Sequence, residues 1–331
     1  MGSAISHLAS LEQRSARLAV PRKPADTYGT TTLRPPDFDA FWEAILAEAR
    51  AIPLNPSLTH VPERSTTEVD VFEIHYDSLD DLRIAGWYCI PKAQHVPPPY
   101  PALLIVPGYI SEPTLPKSWA KLGYAAVGVA PRGKLRSNLH FNPGYPGLLT
   151  HNIVDRHTYS YRGFYIDAAR AVDFVQTRLE VDQTRIGVHG SSQGGALTIV
   201  TAALRPDAIT VGAAGAPYLC GFMDAIALTH SWPYEEINDY LRLYPERAAD
   251  VRATLNYFDG INFAPRIRCP MLLYVGLGDD VCPPETGYAL YNALDCPKEI
   301  HAYPRCAHDS GAYWEMAHVQ AFLAKYLRPG H

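Results

Sequence analysis

Gly190-Ser191-Ser192-Gln193-Gly194 stands between an apolar strand-like run, Arg185-Ile-Gly-Val-His189, and an apolar helix-like run, Gly195-Ala-Leu-Thr-Ile-Val-Thr-Ala-Ala-Leu204. A strand, a G-x-S-x-G turn and a helix in that order make a nucleophile elbow. The residue types follow from sterics. The central serine occupies a sharp, strained turn, so the positions two before and two after it must be nearly free of side chain. The turn lifts the Ser192 hydroxyl into a cleft and aims the first N–H groups of the next helix at any oxyanion forming there. The pentapeptide alone is common in loops. Its flanking strand and helix make it the mark of a serine nucleophile.

Length, 331 residues, admits one large α/β domain or two smaller ones. With 47% hydrophobic and 19% charged residues, the composition is that of a soluble globular protein with a sizeable core. A net charge of −5 without any Lys/Arg-rich run argues against a nucleic-acid partner. The longest apolar runs, 102–107 and 196–204, are too short to span a bilayer, so no membrane partner is expected. Met1-Gly-Ser-Ala-Ile-Ser-His7 lacks the basic stretch and apolar core of a secretory signal, although it fits the Met-Gly-x-x-x-Ser lipidation pattern. Six residues are a short match, and a plain terminus is the blander reading. The six cysteines, Cys89, Cys220, Cys269, Cys282, Cys296 and Cys306, show neither C-x-x-C pairing nor zinc spacing. Buried thiols in a reducing compartment are expected, hence a cytoplasmic location with no metal site.

Outward from the elbow, strands and helices alternate. Asp37 is placed to cap a helix in which Phe38, Phe41, Trp42, Ile45 and Leu46 recur at three- and four-residue spacing. Two antiparallel strands, 67–76 and 83–90, follow across a Leu79-Asp-Asp-Leu82 turn. Strands are then expected at 102–106, 124–130, 185–189, 209–213, 271–276 and 298–303, with helices at 161–179 and 312–327. Such alternation implies an α/β-hydrolase fold: a mostly parallel central sheet, helices on both faces, and a small helical insertion over the active site. We read residues 1–331 as one such domain, with 1–66 an N-terminal extension carrying one helix. The insertion, 218–257, is expected after the sheet edge and over the cleft, where such folds place selectivity.

The remaining members of a triad follow the nucleophile in the order acid, then histidine. Met271-Leu-Leu-Tyr-Val-Gly-Leu-Gly-Asp-Asp280 ends a strand in two acids, of which Asp279 is taken as the orienter and Asp280 as its solvated neighbour. Either could instead simply cap the next helix. Among thirteen histidines, His308 alone combines the right order, a post-strand loop and a following glycine, Gly311. His301 falls within a strand, His318 within the terminal helix, and His189 directly before the elbow, where a core role fits better. His308 would take the Ser192 proton while Asp279 holds its tautomer, giving an acyl-enzyme that water resolves. Oxyanion donors are expected from the N–H groups of Gln193 and of Tyr109, in Ile105-Val-Pro-Gly-Tyr-Ile110. Gly108 could equally mark a plain tight turn.

Gly190-Ser-Ser-Gln-Gly-Gly195, Gly276-Leu-Gly-Asp-Asp-Val-Cys-Pro-Pro284, Tyr257-Phe-Asp-Gly-Ile-Asn-Phe263 and Pro131-Arg-Gly133 together resemble carbohydrate esterase family 7 from about Asp37 to the C-terminus. This is the acetyl xylan esterase and cephalosporin-C deacetylase family. The resemblance implies a cytoplasmic, cofactor-free carboxylic ester hydrolase that removes acetyl or similarly short acyl groups from xylo-oligosaccharides or the antibiotic side chain. It implies the same triad and the same oxyanion donors. It also implies an acyl pocket narrowed by Trp119, Tyr218, Pro233 and Val281, which on sequence alone are ordinary core residues. Two motifs depart from the family: Arg132-Gly133-Lys134 replaces Arg-Gly-Gln, and His308-Asp309 replaces His-Glu. The segment after Tyr109 carries two prolines, and 135–145 is shorter than usual. In relatives that region helps build ring-like oligomers, so the resemblance implies a homo-oligomer while the altered loops bear on how it would assemble.

The leading expectation is a serine carboxylesterase whose partner is a small-molecule ester. A peptidase or acyltransferase on the same fold is the runner-up, since a G-x-S-x-G-G elbow serves those too. A prolyl peptidase would require an accessory domain for which no sequence is spare. A non-catalytic binding module fits least, because all three triad residue types occur in the required order.

Overall fold

The computed structural model describes residues 25–111 and 114–329. The Met-Gly-x-x-x-Ser stretch lies outside them. Helix α1, Phe38–Ala51, buries Phe38, Phe41, Trp42, Ile45 and Leu46, the positions that its spacing puts on one face. Asp37 sits at its N-cap but makes no side-chain cap. Its carboxylate is drawn away to the Tyr257 hydroxyl and the Arg156 guanidinium instead.

Strands β1 (Ser57–His60), β2 (Val69–Asp77) and β3 (Arg83–Pro91) form an antiparallel meander. The 1–66 extension therefore supplies a sheet strand as well as a helix. β1 is the outermost strand and none of its residues is buried, so it carries no apolar alternation by which the sequence could reveal it. There follow β4 (Tyr100–Ile105), α2 (Lys117–Lys121), β5 (Ala125–Ala130), α3 (Ser160–Gln176), β6 (Val181–Ser191), α4 (Gln193–Leu204) and β7 (Ile209–Gly215). The insertion holds α5 (Phe222–Leu228), α6 (Glu235–Leu243) and α7 (Ala248–Leu255). The chain ends with α8 (Gly260–Phe263), β8 (Met271–Gly276), α9 (Pro284–Ala293), β9 (Lys298–Tyr303) and α10 (Ala312–Leu327).

The nine strands form one sheet in the order β1-β2-β3-β5-β4-β6-β7-β8-β9. β3 meets β5 antiparallel, and every pairing from β5 to β9 is parallel. This is the mostly parallel α/β-hydrolase sheet that the alternating pattern predicts. Because β7 and β8 are neighbours, the insertion leaves the middle of the parallel region at the carboxyl end of β7, not beyond an edge.

Strand period divides the core in two. Ala102 and Leu104 of β4 face one apolar layer and Leu103 the other; Met271 and Leu273 of β8 alternate likewise with Leu272 and Tyr274. α1, α3 and α4 cover the first face, and α10 with Val319, Phe322, Leu323 and Leu327 covers the second. Every residue of α4 is buried, so the elbow leads into the centre of the molecule. That burial makes the elbow a rigid base for a site.

Candidate active site

Ser192 joins β6 to α4 with φ 61° and ψ −123°, a sparsely populated conformation that typically costs about 1–3 kcal/mol. Neighbouring structure holds it there. Its N–H donates to the Gly215 carbonyl at 2.9 Å, and its own carbonyl accepts from the N–H groups of Ala196 and Tyr218, both at 3.1 Å. A Cβ on Gly190 would lie 2.7 Å from the Val106 carbonyl oxygen, and one on Gly194 only 2.4 Å from the same atom. The flanking glycines are thus steric necessities. Gln193 opens α4, which has no side-chain cap, while the Gln193 side chain turns inward and donates to the Tyr161 hydroxyl at 2.8 Å. Among the described residues, Gln193 Oε1 and the Tyr218 hydroxyl are buried without a hydrogen-bond partner.

His308, in the loop after β9, brings Nδ1 to 2.9 Å from Asp279 Oδ2. Asp279 is 1% exposed, and its Oδ1 accepts from the N–H groups of Val281 at 2.8 Å and Cys282 at 2.9 Å. One carboxylate oxygen is fixed by backbone and the other is aimed at the imidazole. Asp280 turns to solvent, where the Ser231 hydroxyl donates to it at 3.3 Å. Ser192, His308 and Tyr109 line one cleft of about 500 Å³, with Val281, Pro233, Trp232 and Glu236 on its walls.

Neither of the other two expected pocket residues lines that cleft. Tyr218 is fully buried, packed between the rings of Tyr109 at 6.0 Å and Tyr234 at 4.5 Å. Trp119 packs against Tyr124 and His189 in the layer beneath α10 and does not line the cleft. It occupies a core position, the ordinary reading of a buried aromatic on a short helix. His189 is buried with Nδ1 at 3.1 Å from the Ala213 carbonyl, and burial lowers its pKa. His301 pairs with Glu315 at 2.9 Å.

Three further residues shape the site: Glu236 carries no sequence signal, Cys282 lies inside the 276–284 motif without a role, and Lys134 is marked only as a departure from the family pattern. Glu236, on α6, accepts from the Tyr109 hydroxyl and from the Gly147 N–H at 3.0 Å. Burial raises the Glu236 carboxyl above its usual range, and burial with the Glu236 charge pushes the Tyr109 phenol upward. Cys282 is 4% exposed, and burial and then the Asp279 charge push its thiol up. Lys134, only 2% exposed, donates to the carbonyls of Gly108, at 2.7 Å, and Tyr109. Ligand atoms of Asp279, Cys282 and His308 lie within 4.8 Å of one another, but the carboxylate and imidazole already share a hydrogen bond where an ion would have to enter.

The arrangement offers a strained hydroxyl, an oriented imidazole and uncapped helix amides in one crevice. Comparison with known proteins agrees with that chemistry. The model of the acetyl xylan esterase (AXE1) family matches residues 16–326. The acetyl esterase Axe7A of Xylanibacter ruminicola is 32% identical over 287 residues, 81% of this chain; the chain spans 62% of that relative's length. The acetyl xylan esterase from Paenibacillus sp. R4 superposes with a TM-score of 0.85 at 33% identity, covering 93% of this chain and 100% of that one. Acetyl xylan esterase 1 from Thermoanaerobacterium sp. JW/SL YS485 gives 0.83 at 28% identity, covering 93% and 99%. With nearly its whole length matched, this chain belongs to the acetyl xylan esterase family.

Proposed function

We propose that this protein is a serine carboxylesterase that removes acetyl and similarly short acyl groups from acetylated xylo-oligosaccharides or cephalosporin-C-like acetates. The observation carrying the reading is the line from buried Asp279 through His308 into the cleft that Ser192 shares. His308 Nε2 accepts the Ser192 proton as Oγ adds to the ester carbonyl, and Asp279 stabilises the imidazolium. The N–H groups of Tyr109 and Gln193 take the resulting oxyanion. Collapse expels the alcohol, which leaves with the proton from His308. Water then adds to the acyl-enzyme, giving up a proton to His308, and acetate departs as Ser192 recovers its hydrogen.

Pro233 and Val281 on the cleft wall support a short acyl group, and the reading requires no cofactor. Six free thiols, five of them buried, support a reducing, cytoplasmic setting. No helix among the described residues is long and apolar enough to cross a membrane. A homo-oligomer belongs to the same reading.

Turnover of p-nitrophenyl acetate, octanoate and a proline aminoanilide tests it. Acetate-selective turnover that falls by about four to six orders of magnitude in Ser192→Ala and His308→Ala, with unchanged thermal unfolding, is expected. Turnover that survives in Ser192→Ala removes the proposal, and preference for the anilide would favour a peptidase.

A further inference from the structure

Lys134 stands where the resembled family has glutamine, directly after the buried Arg132-Gly133 pair. Arg132 is 3% exposed and locked in place: its backbone N–H and Nε donate to Asp167 Oδ2 at 2.9 and 2.8 Å, and Nη2 donates to the Leu79 carbonyl at 3.0 Å. A Cβ on Gly163 would lie 2.0 Å from that guanidinium, so α3 closes over it. The loop after β5 therefore leaves a fixed post, and Lys134 reaches from it across the carboxyl ends of the strands. Its ammonium donates to the carbonyls of Gly108 and Tyr109 and lies 5.1 Å from the centre of the Tyr145 ring.

One of those carbonyls matters more than its distance suggests. The Gly108 C=O and the Tyr109 N–H belong to a single planar trans peptide, in which carbonyl and amide hydrogen point in opposite directions. Anchoring the oxygen on one side therefore aims the N–H on the other. The second bond, to the Tyr109 carbonyl, fixes the next peptide plane and stops the first from rotating. A charge-assisted bond to the oxygen also polarises the amide and strengthens its N–H as a donor. The side chain of Tyr109 is held separately, by Glu236.

We propose that Lys134 is a positioning residue for the oxyanion hole: by holding the Gly108–Tyr109 peptide from behind, it sets the direction and strength of the Tyr109 N–H. This rests on the esterase reading, in which that N–H stabilises the tetrahedral intermediate. Its effect belongs to the transition state, so it must show in kcat and in the affinity for a tetrahedral anionic adduct, and not in KM. Lys134→Met removes the donor while keeping the length of the chain.

Steady-state kinetics on p-nitrophenyl acetate, with methylboronic acid as the probe that forms a tetrahedral adduct on serine, provide the test. Lys134→Met should lower kcat and boronate affinity together, by about tenfold to a hundredfold, with KM within about twofold. Should that variant not fold, Lys134→Gln decides: a joint fall of about threefold or more upholds the proposal, because a shorter neutral amide holds the peptide less firmly. Unchanged kcat in the deciding variant overturns it. So does a kcat loss without a matching loss of boronate affinity, or a loss confined to KM. Only turnover abolished by Ser192→Ala is counted, so failure of the esterase reading and failure of the role of Lys134 remain distinct results.

Discussion

Asp279 has two oxygens with two different tasks, and that division makes a sharp prediction. Oδ1 is engaged by the N–H groups of Val281 and Cys282, while Oδ2 faces His308 Nδ1. In Asp279→Asn the remaining oxygen must keep the two backbone donors, which turns the new NH2 toward the imidazole. A donor there forces the proton onto Nε2, the nitrogen that has to accept from Ser192. We expect kcat on p-nitrophenyl acetate to fall about 10³–10⁴-fold with unfolding little changed, since shape and backbone bonds survive. A variant with wild-type kcat would show that Asp279 does not orient the base. At this scale the sequence was legible where chemistry needs a particular residue at a particular spacing. The glycines around Ser192 are required by contacts of under 3 Å, so the pentapeptide carries its own geometry. Glu236 and Lys134 act on Tyr109 across 127 and 25 residues, and no local pattern encodes such a meeting. Trp119 shows the converse. A position matching a family pocket packs in this chain against Tyr124 and His189.

Among the elements, the insertion between β7 and β8 is pinned at both ends by one carboxylate. Asp259 caps α8 through the Ile261 N–H at 3.0 Å and accepts from the N–H groups of Gly221 and Phe222, each at 2.9 Å, where α5 begins. Burial raises the Asp259 carboxyl to about 6 against these donors. An unfolded aspartate titrates near 3.9. Between those values the native chain holds more protons than the unfolded one, so the stability contributed by this group falls as pH rises from about 4 to 6. Asp259→Asn abolishes that slope. Urea unfolding at pH 4.5, 5.5 and 7 should show wild type losing stability relative to the variant by about 2 kcal/mol across that range. A wild type that gains on the variant over that range contradicts the assignment. Elements were readable from sequence according to how they are buried. β8 and α10, which carry buried residues, lie where their apolar periods put them, whereas β9, with none, was placed by its position before the His308 loop. β1, lacking a buried residue, left no period to read.

Over the whole molecule, the cleft depends on chain that is remote from it. The segment before α1 runs along the insertion and is tied to it at successive residues. Thr30 Oγ1 donates to Asp224 Oδ2 at 2.6 Å, the Thr31 N–H to the same carboxylate at 3.0 Å, and Thr31 Oγ1 to its Oδ1 at 2.5 Å. Thr32 reaches Asp259 at 3.0 Å, and Arg34 Nε donates to the Asn262 carbonyl at 3.2 Å. Asp224 is 3% exposed but its donors come from exposed Thr30 and Thr31, so its removal loses charge-assisted bonds and leaves those donors to water. Asp224→Ala should cost about 1–3 kcal/mol locally. Because Tyr28 is the strap residue that packs against an apolar layer of the sheet, and only partly, that loss should appear as local opening and not as a large change in global unfolding. Chymotrypsin under native conditions reads the difference at Tyr28, which packs against the core while the strap is docked and is followed by Gly29. Cleavage after Tyr28 should quicken about tenfold or more in Asp224→Ala, with the rest of the chain intact. Equal cleavage rates would mean that the strap is held by Thr32 and Arg34 alone, and that the insertion over the cleft does not depend on Asp224.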